Sequence, residues 1–273
     1  MKRYRKSKNQ IYAGVQIRKN KVRYNFKSDN FQNDIIYLYH DNSSEFNEDG
    51  VRYIYAYTYS EDALESEKVI FRNYIKNKDG SKGLDDPNTL DFIQRGVLRL
   101  ENYCNFKEFG ATIHINSKSK SLVNMIGMYI SEYTRGLQTN LTLIKNTCRD
   151  VEFDEYKARE AMRNSEYRIY TEDQIEESIS KMLRIFNRLK QENQLFEMKK
   201  FVPRELRYGF TNFLKFKSRD EELTYKSLQG TNVLIYDDFL TSGSTIREAI
   251  RYLRSINDKN TLTIFVLVKQ EGE

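Results

Sequence analysis

Short runs of apolar and β-branched residues alternate with stretches of helical periodicity through most of this chain. The runs ATIHI at 111–115, TNLTLIKN at 139–146 and LTIFVLV at 262–268 are typical of strands. Helical patterns such as LVNMIGMYISEYT and TIREAIRYLRSI lie between them. Strands that alternate with helices favour a parallel sheet, because each crossover helix packs back onto the sheet. The sequence therefore predicts an α/β fold with a parallel sheet flanked by helices.

The first part of the chain follows a different pattern. Residues 10–58 carry short alternating runs rich in Tyr, Ile and Val, which predict strands, and residues 60–77 carry helical spacing. The segment KDGSKGLDDPN at 78–88 is rich in loop-forming residues. We therefore predict an N-terminal β-rich α+β extension over 1–88 and a core over 89–273.

A long charged stretch interrupts the predicted core. Residues 154–200 are helical in pattern, most clearly in EDQIEESISKMLRIFNRLKQEN, and a third strand, GFTNFLKF, follows near residue 209. This pattern predicts a long helical insertion at about 150–205. A lid, an oligomer interface and a partner-binding arm are all compatible with it.

Composition excludes several classes of protein. With 39% hydrophobic and 31% charged residues among 273, the chain has ample apolar area for a core, so wholesale disorder is excluded. No apolar stretch is long enough to span a membrane, and the start lacks the apolar core of a secretory signal, so we expect a cytoplasmic protein that does not engage membranes. Cys104 and Cys148 are far apart, and His40 and His114 have no matching cysteine or acid cluster, so neither a disulfide framework nor a zinc site is indicated.

The first eight residues are strongly basic, in a chain of net charge +6. Such an arm could contact nucleic acid or an acidic protein partner, although a solvated, mobile terminus accounts for it more simply. Its cations are Lys2, Arg3, Arg5, Lys6 and Lys8.

The stretch VLIYDDFLTSGSTIREAI at 233–250 carries the strongest functional signal. An apolar run leads into Asp237 and Asp238, then into a loop rich in hydroxyls, and then into a helix. The loop TSGST offers closely spaced N–H groups, hydroxyls and one glycine at a helix N-terminus, which suits a phosphate. Two carboxylates beside a phosphate need sugar hydroxyls, a divalent cation or both to offset the repulsion. The pattern therefore indicates a phosphorylated sugar as the ligand.

The segment NVLIYDDFLTSGST resembles the phosphoribosyl pyrophosphate (PRPP) signature of the type I phosphoribosyltransferases. Other phosphate motifs fit less well, since the chain has no G-x-x-x-x-G-K-[ST] and no G-x-G-x-x-G after a strand. The resemblance covers roughly 90–273 and implies a type I phosphoribosyltransferase core. It implies that Asp237 and Asp238 bind the ribose hydroxyls as catalytic residues. It further implies that the 5′-phosphate is held by Thr241, Ser242, Gly243, Ser244 and Thr245.

This family also places a pyrophosphate-binding loop after the first core strand. Lysine charges and hydroxyls suit a departing pyrophosphate, although a plain surface turn is the alternative. The corresponding residues here are Asn116, Ser117, Lys118, Ser119, Lys120 and Ser121. Cations of the insertion could reach the diphosphate or lie on a solvated helical face, namely Lys157, Arg159, Arg163 and Arg168.

The resemblance implies a transferase that uses PRPP and Mg²⁺ to move phosphoribose to a nitrogen of a nucleobase or related acceptor, with release of pyrophosphate. Mg²⁺ would be held chiefly by PRPP oxygens and waters, with Asp237 and Asp238 as indirect support. The resemblance also implies a homodimer. The N-terminal extension would supply the hood, the part of the protein that covers the base. The alternative is a regulatory or effector protein, for example of a bacterial defence system of the retron type. Such a protein would bind PRPP or a nucleotide and act on a protein or nucleic-acid partner through the basic N-terminus and the insertion.

Overall fold

The computed structural model describes residues 14–18, 21–25, 38–40, 44–46, 51–59, 63–78, 82–116, 120–134, 139–165, 168–240 and 243–270. The chain forms two compact units. The first unit contains Met1–Leu141, Leu228–Thr241 and Lys259–Glu273. The second unit contains Thr142–Ser227 and Ser242–Asp258. Each unit is therefore built from separate stretches of the sequence.

The strands of the described residues are, in chain order, β1 (Gly14–Arg18), β2 (Lys21–Asn25), β3 (Leu38–His40), β4 (Ser44–Phe46), β5 (Arg52–Tyr59), β6 (Phe109–Ile115), β7 (Thr139–Lys145), β8 (Glu152–Phe153), β9 (Phe210–Thr211), β10 (Leu214–Phe216), β11 (Asn232–Leu240) and β12 (Thr261–Lys269). The helices are α1 (Glu65–Ile75), α2 (Pro87–Leu98), α3 (Lys120–Thr134), α4 (Glu155–Arg163), α5 (Glu172–Gln191), α6 (Met198–Phe201), α7 (Arg219–Ser227) and α8 (Ser244–Ile256). Short 3₁₀ turns lie at Gly83–Asp85, Arg99–Asn102, Phe106–Glu108 and Arg204–Gly209.

A mostly parallel sheet forms the centre of the first unit. Its strand order is β7, β6, β11, β12, β5 and β3, with β4 also paired to β5. β11 runs parallel to both β6 and β12, and β12 runs parallel to β5. β3 and β4 are antiparallel to β5. The predicted α/β class with a parallel central sheet is confirmed at this level, and the structure adds antiparallel strands at the edge.

Helices α1, α2 and α3 contribute to the hydrophobic core on one face of this sheet. Phe71, Phe92 and Ile126 of these helices are fully buried in one cluster with Leu234 and Phe265 of the central strands. Residues of β11 and β12 that lie outside this cluster are buried as well. This is the burial pattern of strands whose two faces are both covered. The continuous apolar runs that predicted these strands therefore match strands buried on both faces.

Tyr57 ties β5 to α2. Its ring stacks on Phe92 with centroids 4.0 Å apart, and its hydroxyl donates to the Phe92 carbonyl over 2.8 Å. Burial raises the pKa of Tyr57 well above its usual range. The residue therefore remains a neutral donor and satisfies its only polar group inside the core.

The predicted N-terminal extension contributes directly to the sheet of the first unit. β5 pairs with β12, with Tyr55 opposite Val266. The helix expected over 60–77 is confirmed as α1, where the Leu64 N–H donates to the Glu67 carboxylate. Residues 60–62 lie outside the described residues. The two compact units follow a different division of the chain from the boundary that we predicted at residue 88.

The second unit has an aromatic core of its own. The ring of Phe210 lies 4.6 Å from that of Phe153 and 5.1 Å from those of Phe186 and Phe196, between ring centroids. Phe186 belongs to α5, whose strong apolar stripe was visible in the sequence. This cluster holds α5 against β8 and β9 within the unit.

The structure corrects the predicted third strand. We expected one strand over GFTNFLKF in a parallel sheet, but β9 and β10 are separated at Asn212, whose φ of 59° lies in the left-handed region. β10 is antiparallel to β7, with Leu214 opposite Lys145. The helical stretch expected over 154–200 is likewise divided, since α4 ends at Arg163 and α5 starts after its capping residue Thr171.

Within the described part of the chain, no helix is both long and apolar enough to cross a membrane.

Candidate functional site

The order of the central strands reverses between β6 and β11. β7, which follows β6 in the chain, lies beside β6, and β12, which follows β11, lies on the far side of β11. β6 and β11 are parallel neighbours, with His114 opposite Tyr236, so their carboxyl ends reach the same edge of the sheet. In open α/β sheets, ligands bind outside the carboxyl ends of the strands at such a reversal. The topology therefore selects the residues that follow His114 and Tyr236 as the candidate site.

Asp237 and Asp238 lie at this edge, but inside β11 rather than after it. The strand continues to Leu240, and Phe239 still pairs with Val268 of β12. Because side chains alternate along a strand, the two acids face opposite sides of the sheet. Asp237 is half-buried, whereas Asp238 is buried. The structure therefore brings both predicted acids to the candidate site and gives them different surroundings.

Asp238 forms a buried ion pair with Lys76. The Lys76 Nζ lies 2.5 Å from the Asp238 Oδ2, with only 12% and 5% of the two side chains exposed. The same ammonium lies 4.9 Å from the centre of the Phe239 ring, within range of a cation–π contact. The Asp238 Oδ1 accepts a hydrogen bond from the Phe239 N–H over 2.8 Å. Both carboxylate oxygens of Asp238 are thus engaged within the protein.

Lys76 is the site residue that the sequence reasoning missed. It follows the last residue of α1 and caps that helix, its N–H bonded to the Arg72 carbonyl over 3.2 Å. Asn77, with a φ of 51°, then turns the chain. A lysine at a helix C-terminus is ordinary on its own, because it complements the helix dipole. Its partner is distant in the sequence, and no local pattern signals the pair.

The predicted pyrophosphate segment starts at the same edge as Asp237. Asn116 directly follows β6 and is half-buried. Lys120 and Ser121 form the start of α3, and their side chains lie outside the described residues, as do Ser117, Lys118 and Ser119 entirely. The segment therefore lies in the sequence between the end of β6 and the start of α3.

The described residues of the predicted phosphate loop lie at the start of α8 in the second unit. Thr241 and Ser242 lie outside the described residues. Gly243 has a φ of 68°, a conformation that glycine adopts without steric cost, and its carbonyl accepts the first helical bond from the Arg247 N–H over 2.9 Å. Ser244 is buried at the start of α8, and Thr245 is half-buried. The first turn of α8 contains no acid, so its N-terminal N–H groups keep their affinity for an anion.

A polar network fixes α8 within the second unit. The buried Glu248 carboxylate accepts bonds from the Phe213 N–H at 3.2 Å and from Arg251 at 2.7 and 2.9 Å. Arg251 also donates to the Asn212 side chain over 2.6 Å. This network anchors α8 to the segment between β9 and β10 and so positions Gly243 and Ser244.

Three of the four cations that we singled out in the insertion are held in ion pairs, whereas Arg168 forms none with a residue that the structure describes. Arg163 donates two hydrogen bonds to Glu172, at 2.9 and 2.8 Å, and Arg159 lies 2.5 Å from Glu176. Lys157 lies 3.5 Å from Asp154. These contacts favour the interpretation that the three cations belong to a charged helical face. They do not favour the alternative, in which the cations bind a diphosphate.

Among the residues that the structure describes, no group of three His, Cys, Asp or Glu side chains could hold a metal ion. The His114 ring lies 5.9 Å from that of Tyr236, whose pKa burial raises to about 12. Burial also raises the pKa of Cys104 to about 11 and raises that of Cys148, so both thiols are protonated at neutral pH.

No protein-family model matches this chain, and no curated protein matches it significantly.

Proposed function

We propose that this chain is a PRPP-dependent phosphoribosyltransferase whose substrate binds at the carboxyl ends of β6 and β11. The observation that carries the proposal is the reversal of strand order between these two strands. The acids of the sequence motif stand at the end of β11, and the segment rich in Lys and Ser follows β6. A sugar diphosphate needs this combination of carboxylates for hydroxyls and cations for phosphates.

Asp237 is the residue that we assign to the ribose hydroxyls. A carboxylate accepts hydrogen bonds from neighbouring hydroxyls, and bonds to a charged group are stronger than neutral ones. Asp237 is more exposed than Asp238, which is engaged by Lys76. Asp238 then acts through the backbone: its own N–H donates to the Asp237 Oδ1 over 2.8 Å and helps to orient that carboxylate.

Lys76 reduces the repulsion between the two acids and a diphosphate. Its ammonium neutralises Asp238 in a poorly solvated environment, where charges interact more strongly than in water. The pair of acids then presents one net negative charge rather than two. A polyanionic substrate can approach Asp237 at a lower electrostatic cost.

The phosphate assignment depends on the sequence motif and on the start of α8. Thr241, Ser242, Gly243, Ser244 and Thr245 follow the acids directly along the chain. The left-handed Gly243 and the acid-free first turn of α8 support anion binding by backbone N–H groups.

In the proposed reaction, an acceptor nitrogen forms a bond to the anomeric carbon as the bond from that carbon to pyrophosphate breaks. The bonding electron pair leaves with the pyrophosphate oxygen, so positive charge develops on the sugar and negative charge on the leaving group. Lys118 and Lys120 are the residues that we assign to the leaving group. Mg²⁺, when bound, would neutralise diphosphate charge; we assign it to the oxygens of PRPP, with Asp237 as indirect support.

A second function is favoured by one observation. The ion pair with Lys76 engages Asp238, so only one of the two acids is left to contact a ligand. This arrangement suits a protein that binds PRPP or a nucleotide without turnover. Such a regulatory or effector protein would act on a protein or nucleic-acid partner through its basic N-terminus or the insertion.

A pyrophosphate-release assay separates these two functions. The purified chain would be incubated with PRPP, Mg²⁺ and a panel of nucleobases. The transferase proposal predicts release that depends on one class of base, and the class identifies the acceptor. Asp237→Asn, purified identically, should reduce the rate at least about tenfold, since a charge-assisted hydrogen bond is lost. Binding of PRPP without release for any base would favour the second function.

A further inference from the structure

The second unit contains a half-open pocket that has no role in the proposed function. Its volume is about 310 Å³, enough for a small ring with one substituent. α4, α5, the segment before α5 and residues 201–206 all contribute to its walls. The most deeply buried lining residues are Met162, Met182 and Leu206. Thioethers are polarizable and pack well against flat rings, so this part of the pocket suits an apolar, aromatic group.

Two cations line the same pocket. Arg168 and Lys181 are exposed, and neither makes an ion pair with any residue that the structure describes. Arg159 and Arg163 of α4 differ in this respect, because both are paired with acids of α5. The pocket therefore keeps positive charge available beside an apolar surface.

Tyr170 organises the polar side of the pocket. The Arg168 guanidinium lies 4.9 Å from the centre of the Tyr170 ring. Burial raises the pKa of Tyr170, and the neighbouring Glu205 carboxylate raises it further. Glu205 also lines the pocket, so the lining carries two cations and one carboxylate.

We propose that this pocket binds a small molecule that combines one flat apolar group with one anionic group. The apolar group packs on Met162, Met182 and Leu206, and the anion is bound by Arg168 and Lys181. An inorganic anion alone would leave the apolar surface uncovered, and an uncharged ring would leave the two cations without an ion pair. This ligand site uses none of the residues that we assign to PRPP in the proposed function, and it gives Arg168 a role other than contact with the diphosphate. It is a separate function of the second unit.

Phenyl phosphate is a suitable probe, because it joins one ring to one phosphate. Titration of the full chain by ligand-observed NMR should give a dissociation constant of about 1 mM or below. Benzyl alcohol, which lacks the charge, and inorganic phosphate, which lacks the ring, should each bind at least about fivefold more weakly.

Variants locate the binding. Arg168→Gln and Lys181→Gln should each weaken phenyl phosphate at least about fivefold, and both side chains are exposed, so the fold is retained. Arg184→Gln, an exposed arginine of α5 outside the pocket, is the matched control and should bind as the wild type does. Unchanged affinity in both pocket variants, equal binding of inorganic phosphate, or no binding of phenyl phosphate would overturn the proposal. PRPP binding should be the same in all three variants, which separates this site from the proposed substrate site.

Discussion

At the scale of single residues, Lys76 and Asp238 place two opposite charges in a nearly water-free environment at the end of β11. Removal of one partner of a buried pair leaves an uncompensated charge, whereas removal of both leaves none. Each side chain of the pair therefore stabilises the fold mainly because its loss would leave the other charge buried and unpaired. It also explains why an acid can be buried beside the candidate site.

The first prediction concerns this pair. Lys76→Met should lower the free energy of unfolding by about 3 kcal/mol, because Asp238 is left buried without its cation. Lys76→Met combined with Asp238→Asn should lose less, by at least about 1 kcal/mol, since no buried charge remains. Urea unfolding measures both, and Lys78→Met, an exposed neighbour, should change little. A double variant as unstable as Lys76→Met would show that the two side chains are not coupled.

The second prediction concerns Gly127 of α3, which contacts the residue that precedes the acids. A methyl group at Gly127 would overlap with the Tyr236 hydroxyl, and the Tyr236 side chain is buried. Gly127→Ala should therefore destabilise the chain by about 1–3 kcal/mol, even though alanine favours helix more than glycine does.

The control for Gly127→Ala is Met128→Ala, at a more exposed position on the same helix. Met128→Ala should lower the free energy of unfolding much less, as measured by thermal or urea unfolding. If Gly127→Ala were as stable as the wild type, the close packing of α3 on β11 would be contradicted.

At the scale of elements, α4 and α5 are joined by charges at their surfaces. Hydrogen bonds from Arg163 and Arg159 hold the pKa values of Glu172 and Glu176 below their usual range. A carboxyl group with a lowered pKa in the folded state stabilises the fold above its unfolded pKa. That contribution is lost as the pH falls through the folded pKa. Since these groups are exposed, salt should weaken the effect.

The third prediction follows from this sign. The wild type should lose stability between about pH 6 and about pH 3, and Arg163→Gln should lose less over the same interval, because Glu172 no longer has a lowered pKa. Urea unfolding at several pH values measures the difference, which should shrink in high salt. Arg184→Gln is again the control, with the pH dependence of the wild type. An identical pH dependence in Arg163→Gln would mean that the ion pair contributes nothing in solution.

At the scale of the whole molecule, the sequence predicted those features that depend on local patterns. The apolar runs of β11 and β12 and the amphipathic stripe of α8 were sufficient to place these elements in order. The position of Gly243 before a helix also followed from local residue types.

Features that depend on contacts between distant residues were not predicted. The antiparallel direction of β10 is set by its pairing with β7, and an apolar run of three residues carries no direction. The break at Asn212 depends partly on bonds from Arg251 and Asn146. Lys76 looked like an ordinary helix terminus, and its partner lies on a strand far along the chain. The pocket of the second unit likewise draws on several separate segments.

The central claim is that PRPP binds at the end of β11 through Asp237. Calorimetric titration of the wild type, Asp237→Asn and the control Asp220→Asn, an exposed acid of α7, tests it most directly. With Mg²⁺ present, we predict micromolar binding to the wild type and to Asp220→Asn, and binding at least about tenfold weaker to Asp237→Asn. Equal affinity for all three proteins would remove Asp237 from the site, and no heat of binding to the folded wild type would contradict the account as a whole.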